Sequence, residues 1–274
     1  MSTARASYLF VPANRPERFA KAAATGAMPI LDLEDAVAPQ DKPTARAALA
    51  AAADVVAASI VRINAAGTAD FEADMDALSA LSPVAVMLPK AEAADDVATL
   101  RAALPSGTAV IPLIESARGL ANVRTIAAAP GVERLAFGTV DLGLDLAVEE
   151  GSDVMAAFRA DLVLASRLAG IAAPIDGVCT LIDDEVAMQR HASRAVSCGF
   201  GGVLCIHPRQ VAVVDRAFAP SEATVARARR IVAAVEASGE GATKLDGQMI
   251  DRPVIEMARR TLALHARLND EVAA

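Results

Sequence analysis

The sequence predicts an α/β protein, a (β/α)8 TIM barrel over residues 1–220 followed by a C-terminal helical extension over residues 221–274. Three observations predict it. Eight short apolar runs alternate with longer segments of helical character. The runs are nearly continuous in Val, Ile, Leu and Ala rather than alternating with polar residues, as strands covered on both faces require. No GxGxxG opens the first helix, which argues against an open doubly wound sheet, and eight strands close a cylinder without edges.

The elements follow in order. SYLFVP (7–12) is the first strand, and NRPERFAKAAATGA continues it with Asn14 as helix cap and Pro16 in the first turn. MPILDLED (28–35) is the second strand, ahead of an Ala-rich helix over 43–53. SIVRIN (59–64) is the third, ahead of a helix over 70–80. VAVMLPK (84–90) precedes EAADDVATLRAAL, and AVIPLIE (109–115) precedes SARGLANVRTIAAA. RLAFGTVDL (134–142) leads through a longer loop to a helix over 155–169. PIDGVCT (174–180) precedes DDEVAMQRHASRAVSC, and GGVLCIHP (201–208) precedes RQVAVVDRAF. The remainder holds an amphipathic helix (SEATVARARRIVAAVEA), a polar loop (SGEGATKLDGQMIDR) and a final helix from Pro253. A barrel does not need that remainder to close.

Composition narrows the function. Hydrophobic residues make up 54% of the 274, enough for a sizeable core, but aromatics are 3%, with no Trp and one Tyr. Stacking platforms for bases are therefore scarce, and a net charge of −8 without a long basic run argues against nucleic acid and anionic membranes as partners. No apolar run reaches the length of a membrane span, and the N-terminus lacks a signal core. Cys179, Cys198 and Cys205 form neither CxxC nor zinc spacing, so reduced thiols in a cytoplasm are expected.

Active sites of such barrels lie at the C-terminal ends of the strands. Those ends carry Asp32, Glu34 and Asp35; Arg62 and Asn64; Lys90; Glu115; Asp141; Asp176; and His207. Several have a purely structural reading. Asp32, Glu34, Asp35 and Asp141 suit caps and turns, Asp176 before Gly177 suits a turn, Lys90 suits a counter-charge, and His207 suits a structural hydrogen bond. Glu115 is harder to dismiss, because glutamate is a poor cap. If Glu115 and Asp141 converge, two oxygen ligands without His or Cys suit Mg2+, or Mn2+ as the alternative. Arg62 offers a planar fork to a substrate carboxylate, and the Gly138–Thr139 backbone offers N–H groups to the same anion. One metal, one arginine and flanking carboxylates fit enolate chemistry on a small oxo or hydroxy acid.

On these residues the chain resembles the citrate lyase β-subunit family, which includes malyl-CoA and citramalyl-CoA lyases and HpcH/HpaI-type aldolases. LFVPANRPERFAKA, ILDLEDAV, VRIN, MLPKAE, PLIESARG, FGTVDLG, CIHPRQ and GQMIDRP carry the resemblance, in the family's order and over the whole chain. Each motif is weak alone; eight in order are strong. The family's early RSxLFVPG is altered, with Ala6 at the Arg position beside Arg5, and Ala13 at the Gly.

The resemblance implies a (β/α)8 barrel assembled as a homotrimer. It implies Mg2+ held by Glu115 and Asp141, a substrate carboxylate on Arg62, and Asp251 of GQMIDRP as acid/base delivered from a neighbouring subunit by the C-terminal extension. Glu34, Asp35 and Lys90 would support the site. The expected reaction is Mg2+-dependent cleavage or formation of a C–C bond in a citryl-, citramalyl- or malyl-CoA-like thioester, giving acetyl-CoA and oxaloacetate, pyruvate or glyoxylate. Two other readings stand beside it: a class II-type aldolase on a free 4-hydroxy-2-oxo acid, and a non-catalytic homologue that binds an acyl carrier or partner. Arg15, Arg18 and Lys21 are basic candidates for CoA phosphates, set against the plainer reading of a solvated helix face.

Overall fold

A computed structural model describes residues 5–238 and 243–273 of the chain. Eight parallel strands close a barrel in sequence order: β1 Ser7–Pro12, β2 Met28–Asp32, β3 Ile60–Arg62, β4 Ala85–Leu88, β5 Ala109–Ile114, β6 Ala136–Phe137, β7 Ile175–Asp176 and β8 Gly202–Cys205. β8 closes on β1 through the register Ser7↔Val203 to Leu9↔Cys205. Successive strand residues point to opposite faces, so alternate positions fill the interior: Met28 and Ile30, Ala85 and Met87, Ile111 and Leu113 share one buried cluster with Tyr8. Leu31, Val61, Val86, Val110 and Ile114, on the other face, are buried as well. Both faces are covered, and this is why the strands read as unbroken apolar runs.

Several sequence expectations shift. β6 and β7 span two residues each, because the chain turns at Gly138 into the helix Thr139–Leu146 and leaves β7 after Asp176. Asp141 therefore lies in the first turn of a helix and not at a strand end. Asn14 caps nothing: the chain enters a short 3-10 turn, Pro16–Arg18, through Arg15, with no side-chain cap, before the helix Phe19–Ala23. The helix expected over SARGLANVRTIAAA breaks at Asn122 into Ala117–Ala121 and Val123–Ala127. The remaining helices follow the expected segments, among them Ala69–Leu78, Asp153–Ala169 and Glu185–Cys198, capped by Thr68, Ser152 and Asp184.

The chain folds as two compact units, Arg5–Asp215 and the segment from Arg216 onward. In the second, the helices Glu222–Ser238 and Arg252–Ala273 flank the antiparallel strands β9 Thr243–Leu245 and β10 Gln248–Ile250. Ala228, Ile231, Val235, Ile250 and Ala258 form its core. The expected polar loop is thus a hairpin in its later half, while residues 239–242 lie outside the described residues. Its turn, Asp246–Gly247, has φ of 51° and 81°, the pair of left-handed residues that a two-residue hairpin needs. That Asp-Gly signal is present in the sequence. No helix among the described residues is long and apolar enough to cross a membrane.

Candidate active site

Strand register builds the first part of the site. Asp32 ends β2, Arg62 ends β3, and the two are paired neighbours. The Arg62 fork closes on Asp32 with Nε donating to Oδ1 at 2.7 Å and Nη2 to Oδ2 at 2.6 Å. The same carboxylate accepts the backbone N–H groups of Glu34 and Ala36, at 3.0 and 3.1 Å. Nη1 of Arg62 lies 2.9 Å from Glu34 Oε2, and the guanidinium stacks over Phe10 at 4.5 Å. Burial alone would lower the Arg62 pKa, but Asp32, Glu34 and Asp35 outweigh it and raise it. Arg62 is a fixed cation. Three of its nitrogens face carboxylates, and Nη1 and Nη2 each keep a second N–H for a ligand.

Glu115 follows β5 directly and is 4% exposed. Its Oε1 accepts the backbone N–H of Lys90 at 2.8 Å. Lys90 adopts φ of 48°, a left-handed conformation rare for a side chain of its size, and from there its Nζ reaches Glu34 Oε1 at 2.8 Å. One lysine thus holds Glu115 through its main chain and Glu34 through its side chain. Burial pushes the Glu115 carboxyl up to about 8; the charges of Glu34 and Asp141 add to the rise, and Lys90 opposes it. Burial likewise raises Glu34, against the pull of Arg62 and Lys90.

The register Ile114↔Phe137 sets Glu115 beside Gly138. A Cβ on Gly138 would stand 2.4 Å from Glu115 Cβ and 2.6 Å from its Oε2, so only glycine lets the two strands' ends come this close. Asp141 follows three residues later.

These residues open on a cavity of about 450 Å³ lined by Asp32, Asp35, Arg62, Glu115, Gly138, Thr139 and Asp141, with an apolar wall of Phe10, Leu113, Phe137, Val178, Leu204 and Ile206. The expected Arg62, Glu115, Gly138, Thr139 and Asp141 are therefore brought together, with Glu34 and Lys90 tied to them by ion pairs. Among the described residues no group of three or more His, Cys, Asp or Glu is placed to enclose a metal. A cation here would rest on two carboxylates and take its other ligands from water and substrate.

Other rim candidates serve the scaffold. Asn64 donates to Asp74 and Leu33 and accepts from the buried Lys42. Asp176 is fully buried on Arg159, which also reaches Glu150 Oε1 at 2.5 Å. His207 Nδ1 accepts the Arg209 N–H at 3.2 Å. Asp251 belongs to the C-terminal unit, where it precedes the last helix and its Oδ1 accepts the Val254 N–H at 3.4 Å. Cys179, Cys198 and Cys205 are free thiols. The apolar wall was not foreseen, since no local pattern separates a wall strand residue from a core one. Nor was Asp145, whose only signal is its place four residues beyond Asp141.

Known proteins resemble this chain over nearly its whole length. Residues 6–208 match the family described as HpcH/HpaI aldolase/citrate lyase. A citrate lyase subunit beta-like protein of Mycobacterium tuberculosis is 42% identical over 262 residues, 93% of each chain. A (3S)-malyl-CoA thioesterase of Cereibacter sphaeroides is 33% identical over 271 residues, 94% of this chain and 93% of its own. The crystal structure of protein CitE from Mycobacterium tuberculosis in complex with magnesium, acetoacetate and coenzyme A superposes with a TM-score of 0.87 at 40% identity, over 97% of this chain and 100% of that one. The chain belongs to the HpcH/HpaI aldolase/citrate lyase family.

Proposed function

We propose that the protein is a Mg2+-dependent carbon–carbon lyase that cleaves, or forms by condensation, a 3-hydroxy-3-carboxyacyl-CoA thioester of the malyl-, citramalyl- or citryl-CoA type. The products of cleavage are acetyl-CoA and a 2-oxo acid. The observation that carries this reading is the buried Glu115 carboxylate, set among Glu34 and Asp141 beside a fixed arginine. Burial and the charges of Glu34 and Asp141 raise the cost of ionising Glu115, and a hard divalent cation relieves it. Two carboxylates with open flanks fit Mg2+, which keeps several ligand positions for water and substrate. The relative that holds magnesium, acetoacetate and coenzyme A supports the same reading.

Glu115 and Asp141 would hold the ion, which supplies Lewis-acid stabilisation where negative charge collects. The remaining work falls to the chain. The two unengaged N–H groups of Arg62 grip the substrate carboxylate, and the backbone N–H of Thr139, opening an eight-residue helix, faces the same anion, while that of Gly138 is held by Ile114 O. In cleavage the hydroxyl passes its proton to water, the bond between the carbinol carbon and the thioester α-carbon breaks, and the electron pair passes to the thioester enolate. Asp251 of a neighbouring subunit, in a homotrimer, returns a proton to that carbon. The protein works in the cytoplasm, where acyl-CoA substrates are found.

The experiment is product analysis with purified protein, Mg2+ and malyl-, citramalyl- and citryl-CoA, alongside a free 4-hydroxy-2-oxo acid. Acetyl-CoA and a 2-oxo acid are expected from a thioester, with Glu115→Ala and Asp141→Ala both lowering turnover by at least about 100-fold. Full activity in both variants removes the metal assignment. Turnover of the free acid alone points to the aldolase reading, and no turnover with no metal binding to the non-catalytic one. The thioesterase relative favours a second reading, hydrolysis at the same site, and release of free CoA with an intact hydroxy acid would establish it.

A further inference from the structure

Two hydrogen bonds join the segment carrying Glu115 to the segment carrying Asp141. Behind the pair, the Gly138 N–H donates to Ile114 O at 2.9 Å. Ahead of it, the Ala117 N–H donates to Asp145 Oδ2 at 2.7 Å. Ile114 immediately precedes Glu115 and Ala117 follows it by two; Gly138 precedes Asp141 by three, and Asp145 follows it by one helical turn. The first bond continues the strand register and would exist in any barrel. The second is made by a side chain and joins two helices that leave different strands. Ala117 is the first residue of its helix, so its N–H has no partner within that helix. Ser116, between Glu115 and Ala117, is fixed as well, its hydroxyl accepting from Gly119 N and donating to Glu92 Oε1 at 2.8 Å.

We infer that Asp145 is a positioning residue for the metal site: its bond to Ala117 sets the separation of Glu115 and Asp141 across the gap between the fifth and sixth βα units. The inference rests on the proposed role of those two carboxylates as ligands. Hydrogen bonds that orient the ligands govern affinity because a bound ion tolerates little spread in its ligand oxygens.

Two variants break the same bond from opposite ends. Asp145→Ala removes the acceptor together with its charge. Ala117→Pro removes the donor and leaves every charge in place; proline is favoured at a first helical position, and Ser116, at φ −134° and ψ 158°, is already in the extended conformation that proline requires before it. The measurement is Mn2+ affinity of the full-length protein by electron paramagnetic resonance, without substrate. Both variants are expected to bind Mn2+ roughly three- to tenfold more weakly, the worth of one hydrogen bond, and the double variant no more weakly than the weaker single. Melting curves in chelator confirm folding, and if Asp145→Ala does not fold, Ala117→Pro carries the test alone. Wild-type affinity in Ala117→Pro overturns the inference, since any loss in Asp145→Ala is then one of charge alone. If Glu115→Gln still binds as wild type, or the wild type binds no Mn2+, the ligand assignment itself falls and the inference with it.

Discussion

Glu115 shows how much of a site can rest on one carboxyl. With its pKa raised to about 8, it keeps a proton in the metal-free folded chain that the unfolded chain has already lost near its ordinary 4.5. The folded state then binds more protons across that window, so stability declines as pH rises toward 8. A glutamine at the same position cannot ionise. In chelator, wild type is therefore expected to lose roughly 2 kcal/mol relative to Glu115→Gln between pH 6 and pH 8. Denaturant melts at the two pH values measure it, and parallel pH profiles would contradict the burial argument. Glu115 was legible in the sequence because glutamate at the end of an apolar strand has few structural uses. Lys90 was legible only as a charge: its left-handed backbone, which carries the bond to Glu115, leaves no trace in residue type. Asp176, read from the sequence as either a rim carboxylate or a turn former, is a buried partner of Arg159, which sits seventeen residues away in sequence and is chosen by tertiary packing.

At the scale of elements, the eight strands were legible because each is buried on both faces, and their order follows from short right-handed connections. Their ends were less so. FGTVDL keeps strand-like Thr and Val beyond Phe137, yet Gly138 turns the chain into a helix and moves Asp141 from the strand to its first turn. That helix ends at Ala147 in a left-handed conformation, φ 53° and ψ 43°, where glycine is the usual residue. Ala147→Gly relieves the strained backbone, and is expected to raise stability by about 1 kcal/mol in urea melts. Equal or lower stability would mean that the exposed cap is not held in that conformation.

For the whole molecule, the division into two units, each with its own apolar core, separates the residues of the proposed chemistry. Glu115, Asp141 and Arg62 are in one unit and Asp251 is in the other. If Asp251 serves a neighbouring copy, Glu115→Gln and Asp251→Asn should each be inactive alone. Unfolded together, refolded and allowed to assemble at equal amounts, they should recover about a quarter of wild-type activity, since a site then needs one intact ligand set and one intact neighbour. No recovery from properly assembled mixtures would place the acid/base within one chain. Asn is the right replacement, because it caps a helix as well as Asp does and so leaves the start of the last helix intact.

Lys90 also bears on how this site would decay over evolutionary time. Glycine would fit the left-handed backbone with less strain and would still offer the N–H to Glu115, but it would leave Glu34 held by Arg62 alone. In a lineage freed from the need to hold Glu34, the substitution Lys90→Gly would be favoured by stability alone. Glycine after the MLP run, with the rest of the rim unchanged, would then mark a descendant that kept the barrel after its selection for catalysis had ended.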